Sequence, residues 1–109
     1  MNNIQETLRI VEIIQIEIIK IYKMNPNSGI FNQMGLIDGM DIVRDYIDHN
    51  EMGCAVDHVF YMIYESGINV NENYLDRINI IANDIGVKNK YLGINSAQQG
   101  DAPETGSSE

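Results

Sequence analysis

Cys54 and His58 stand four residues apart, with Asp57 beside the histidine. On a helix that spacing brings a thiol and an imidazole onto one face, the proximity a Cys–His pair needs to hold a nucleophilic thiolate. Cys54 also precedes Ala55, where a small residue simply lets two helices approach, and that reading needs no chemistry. Asp48, His49, Glu51 and His58 carry metal-ligating atoms, but the histidines lie nine residues apart on different predicted helices, without a recognised ligand spacing. Gly35 and Gly39 lack the lysine and the preceding strand of a phosphate-cradling loop. A single cysteine excludes an internal disulfide and a multi-cysteine zinc site. No active site assembles from these residues. The expectation is a chain without catalytic residues, metal or cofactor.

The carboxylates form a clearer pattern. Between Asp38 and Glu65 stand seven acids (Asp38, Asp41, Asp45, Asp48, Glu51, Asp57, Glu65) and one base, Arg44, a local net charge of −6 within the chain's −9. Asp38, Asp41, Asp45 and Asp48 recur every three or four residues and therefore line one helix face. Like charges at that spacing repel by about 0.2–0.5 kcal/mol per pair, so a helix shaped for stability alone would intersperse lysines. The row reads either as an electrostatic docking surface for a basic partner or as a solvated face. Tyr61 and Tyr64 fall opposite the apolar face of their own helix, alongside Asp57. Exposed tyrosine among carboxylates is a common interface composition. The competing reading makes that helix central and buried on both sides, each hydroxyl finding a partner. The candidate partner-binding residues are Asp41, Asp45, Asp48, Asp57, Tyr61 and Tyr64.

Helices must position these side chains. From Asn3 to about Met24, Ile4, Leu8, Val11, Ile14, Ile18, Ile21 and Tyr22 follow the 3.6-residue period. Ile10, Ile13 and Ile16 fall off that face, and so many β-branched residues make a strand the competing reading. Length without turn signals decides for helix. Asn25-Pro26-Asn27-Ser28-Gly29 is a turn cluster. A second helix is predicted over 36–48, with Ile37, Met40, Val43 and Ile47 as its stripe. Asn50 reads as the N-cap of a third helix over 51–66, whose core face is Met52, Ala55, Val56, Val59, Met62 and Ile63. Gly67 fits the left-handed position past its end, and Asn71 caps a fourth helix over 72–85 carrying Leu75, Ile78, Ala82 and Ile85. Gly86-Val87 matches a C-terminal cap, and residues 88–94 add one more turn that carries Tyr91 and Leu92 inward.

The expectation is an all-α protein, a single small bundle of four to five helices over residues 1–94 with a disordered acidic tail over 95–109. A chain of 109 residues, 44% hydrophobic, suits one modest core. Its net charge of −9 disfavours nucleic acid and anionic membranes and favours a basic protein, although acidity also serves solubility. The most apolar stretch, Ile10 to Tyr22, is interrupted by Glu12, Gln15, Glu17 and Lys20, and the first residues lack the basic patch of a secretory signal. The reading is cytoplasmic, a monomer or weak dimer.

The segment Asp41 to Leu92 resembles the small helical immunity proteins of bacterial polymorphic and contact-dependent growth-inhibition toxins, the MafI type in particular. The resemblance rests on Asp45-Tyr46-Ile47-Asp48-His49-Asn50-Glu51, with Ala55 four residues further on and Asn50 where glycine is expected. Ile63-Tyr64-Glu65, then Ile68-Asn69-Val70-Asn71-Glu72, and a last helix ending Ile85-Gly86-Val87 continue it, over about half the chain. It implies direct neutralisation of a cognate toxin's C-terminal domain in the cytoplasm. Such domains are often nucleases with basic substrate sites, which suits an acidic helix face. A helical adaptor or regulatory subunit docking through Ile10, Ile13 and Ile16 is the alternative, and an enzyme built on Cys54 and His58 is a third reading.

Overall fold

A computed structural model describes residues 2–25 and 35–91, which form four helices and no strand: α1 (Asn3–Met24), α2 (Gly39–Asp48), α3 (Met52–Ser66) and α4 (Glu72–Ile85). The expected all-α class holds. The expected tail over 95–109, the turn residues 26–29 and Leu92 lie outside the described residues.

Helix α1 opens on a capping box. Asn2 Oδ1 accepts from the Gln5 backbone N–H at 2.8 Å, and Gln5 Oε1 accepts in return from the Asn2 N–H. Its buried face is Thr7, Ile10, Val11, Ile14, Gln15 and Ile18. That face is rotated from the expected one. Ile10 is core at 2% exposed, whereas Ile4 and Tyr22 are exposed, because α1 packs against α2, α3 and α4 along a line through Thr7 and Val11. Ile13 is half-buried and Ile16 is exposed.

Gln15 interrupts the apolar run in the sequence, yet it is buried and joins α1 to α2. Its Nε2 donates to the Leu36 carbonyl at 2.9 Å, and its Oε1 accepts from the Met40 N–H at 2.8 Å. Helix α2 therefore starts at Gly39, three residues later than expected. Leu36 precedes it in a turn and is fully buried, while Ile37 turns outward and leaves the expected stripe. At Gly39, α2 comes so close to α3 that an added Cβ would overlap the Met62 thioether.

Helix α3 touches each of the other three. Ala55, Val56, Val59, Met62 and Ile63 are buried as expected, and Phe60 and Ser66 join them from a second face. The α2–α3 turn corrects one expectation. Asn50 does not cap α3; Glu51 occupies that position, without a side-chain cap. Asn50 instead closes α2 in the left-handed region, at φ 60°. Its N–H bonds the Ile47 carbonyl at 3.0 Å, and the Glu51 N–H reaches back to the Tyr46 carbonyl at 2.8 Å. Helix α4 ends in the same double bond, from Gly86 to Asn83 and from Val87 to Ala82, as the glycine signal indicated. Asn71 caps α4 by accepting from the Asn73 N–H at 2.8 Å. Ile78 and Ala82 of α4 are buried as expected and Ile81 joins them, while Leu75 and Ile85 pack half-buried at the edge.

Candidate functional site

Asp41, Asp45 and Asp48 are all exposed on α2, as their spacing required. Asp45 and Asp48 fall in the C-terminal half of a helix whose last turn carries no base. There they face the negative end of the helix dipole, an arrangement that costs about 0.3–1 kcal/mol per charge. His49, the C-cap residue, offsets part of it. Its Nδ1–H donates to the Asp45 carbonyl at 2.8 Å and lies 3.5 Å from the Asp45 carboxylate. The backbone bond and the neighbouring carboxylates of Asp45, Glu51 and Asp48 raise the His49 pKa above its usual value near 6.5. With the Asp45 side chain 73% exposed, the pair leaves that carboxylate open to a partner.

On α3 the tyrosines are not the exposed residues of the first interface reading. Tyr61 and Tyr64 are half-buried and pack against the core, because α3 is covered on several sides. Tyr64 stacks on Tyr91, ring centroids 5.0 Å apart at 13°. Tyr61 stacks on His58 at 5.2 Å. His58 Nε2 lies 2.9 Å from the Gly35 carbonyl; since a carbonyl only accepts, that nitrogen carries the proton. Gly35 has φ +88°, and an added Cβ would lie 2.7 Å from His58 Cε1, so both backbone and space call for glycine.

These contacts frame an open depression of about 170 Å³ lined by Tyr46, Cys54, Asp57, His58, Tyr61, Lys90 and Tyr91. Lys90 Nζ stands 3.6 Å from Asp57 Oδ2 and 5.8 Å above the centre of the Tyr91 ring. Burial pushes the Tyr91 phenol above its ordinary pKa, against the opposing pull of Lys90.

The structure thus brings Asp57 and Tyr61 together, with Tyr64 one ring behind them. Of α2, Tyr46 lines the wall of this depression, while the exposed acids Asp41, Asp45 and Asp48 of the same helix are not among its lining residues. Sequence reasoning missed Tyr46 and Lys90. A tyrosine inside an acidic row was a usable signal, whereas nothing in the sequence marks Lys90 as a neighbour of Asp57, 33 positions away. The weighed quartet Asp48, His49, Glu51 and His58 does not converge: among the described residues no three His, Cys, Asp or Glu side chains are grouped to hold a metal. Among those residues, too, no helix is long and apolar enough to cross a membrane.

Compared with protein-family models, characterised proteins and solved structures, the chain shows no significant match to any of them.

Proposed function

We propose that this chain is an immunity-type binding protein that neutralises a basic toxin domain, of the nuclease kind, by covering it with the α2–α3 surface. One observation carries the reading: the exposed carboxylate row of α2 sets two of its members, Asp45 and Asp48, against the helix dipole, with no base in the last turn. Charge arranged against stability is more readily understood as serving a partner than as serving the fold. The net charge of −9 and the resemblance of Asp41 to Leu92 to MafI-type immunity proteins support the same reading. Asp41, Asp45 and Asp48 steer a basic surface, and Asp57, Tyr61 and Tyr64 supply the contact that slows release. No catalytic step or cofactor enters this function, which is exercised in the cytoplasm.

The test takes the product of the neighbouring reading frame as partner and follows its association with the chain by stopped-flow at low salt. Asp45→Lys combined with Asp48→Lys slows association roughly tenfold or more. A rate that matches the unsubstituted protein removes the electrostatic reading.

A second reading, a non-catalytic helical adaptor, draws on a different surface. Ile13, Ile14, Glu17, Ile68, Val70 and Tyr74 line a groove of about 200 Å³ beside α1, and Ile16 is 50% exposed. Ile10 takes no part, being core. Unchanged partner binding in both Ile13→Lys, at the groove wall, and Ile16→Lys excludes that surface.

A further inference from the structure

We infer that the depression between α2, α3 and the 87–91 segment is a receptor for an arginine side chain of the protein partner, and that Lys90 occupies its place in the free molecule. The inference rests on the acidic-surface reading and names the chemistry that surface recognises. Three observations converge on it. The walls hold the three tyrosines Tyr46, Tyr61 and Tyr91 and one carboxylate, Asp57, the combination that binds a cation by ring face and by charge. A cation is already there: the Lys90 ammonium is paired with Asp57 and lies over the Tyr91 ring. The space, about 170 Å³, is smaller than the roughly 300 Å³ at which small-molecule pockets begin, so it suits the head of one side chain.

The occupant is held loosely. Lys90 is 63% exposed and Asp57 44%, and an exposed pair of this kind contributes about 0.2–1 kcal/mol. The walls, by contrast, are set in advance. Tyr91 is backed by Tyr64, Tyr61 is backed by His58, and His58 is tied to the Gly35 carbonyl. A guanidinium is planar, stacks on aromatic rings, pairs with a carboxylate through two N–H groups and is less strongly hydrated than an ammonium. It therefore outcompetes the tethered lysine once a partner delivers it at high local concentration. Asp57 keeps a counter-ion throughout, and Lys90 swings into solvent with its charge hydrated.

The test uses the full chain without any toxin. N-acetyl-arginine amide is titrated at about 0.15 M salt, near physiological ionic strength, and the Tyr46, Tyr61 and Tyr91 ring signals are followed by NMR. N-acetyl-citrulline amide is the neutral, near-isosteric control. Saturable shifts with arginine but not citrulline are expected, tightening about two- to fivefold in Lys90→Met, where the resident competitor is gone. Lys88→Met removes the same charge outside this depression and leaves the affinity unchanged, while Asp57→Asn weakens it. Absence of saturable shifts in both the unsubstituted chain and Lys90→Met overturns the inference. So do equal shifts with citrulline, or equal tightening in Lys88→Met. The readings fail separately. A bound arginine probe with toxin association indifferent to Asp45 and Asp48 sinks the steering surface alone, and the converse pattern sinks the receptor alone.

Discussion

Thr7 is wholly buried, and its hydroxyl finds no hydrogen-bond partner among the described residues. An unpaired buried polar group costs about 1–3 kcal/mol. Valine has the same shape without the hydroxyl, so Thr7→Val stabilises the fold by about 1 kcal/mol, read as a higher urea midpoint with unchanged slope. A constant or lower midpoint contradicts the assignment of Thr7 as an orphan. Asn50 carries a different load, a left-handed backbone that a β-carbon disfavours by about 1–2 kcal/mol, though asparagine tolerates it better than most. Asn50→Ala accordingly lowers stability by about 1 kcal/mol, while Asn50→Gly does not lower it. Equal loss in both variants would mean that the asparagine side chain, and not the backbone angle, matters at this turn.

At the scale of elements, two polar contacts decide how the helices meet. Gln15 gives α1 a donor and an acceptor for the start of α2, and Gln15→Leu leaves the Leu36 carbonyl and the Met40 N–H without it. A loss of about 2–3 kcal/mol follows, with amide exchange at Met40 accelerating more than exchange in α4. Uniform acceleration through all four helices would argue against a local clamp. At the other side Arg77 of α4 reaches Glu6 in the first turn of α1, its Nε 2.6 Å from the carboxylate. The Glu6 side chain is only 16% exposed, so this pair exceeds an ordinary surface bridge. A double-mutant cycle with Glu6→Gln and Arg77→Met returns a coupling of about 1 kcal/mol, and a value near zero refutes it. Helix α2 is the element whose sequence works against itself. Asp48→Asn relieves the dipole conflict and raises stability by about 0.5 kcal/mol while slowing association with a basic partner.

The whole molecule carries its charge unevenly, and pH reveals it at His49. A histidine with a raised native pKa stabilises the fold fully below its unfolded value near 6.5 and loses that contribution as pH climbs through the higher native value. Stability therefore falls on going from pH 6 towards 8, and His49→Gln flattens this part of the profile. The same proton partly neutralises the Asp45 carboxylate, so association with a basic partner strengthens as His49 titrates. An NMR titration of the His49 ring that returns an ordinary pKa, with a flat stability profile, counts against both expectations.

The sequence by itself determined the four helices, the exposure of the α2 carboxylates and three of the four turn chemistries, at Gly67, Asn71 and Gly86. Each is set by residues within a few positions of one another, where the helical period and local hydrogen bonds leave little choice. Tertiary packing decided the rest. It rotated the α1 face to bury Ile10 and Gln15, drew Tyr61 and Tyr64 half under cover, and placed Lys90 over Tyr91 beside Asp57. These outcomes depend on which helix lies on which, through contacts between residues far apart in the chain, and a periodic pattern reports only that a face is apolar, not what will cover it.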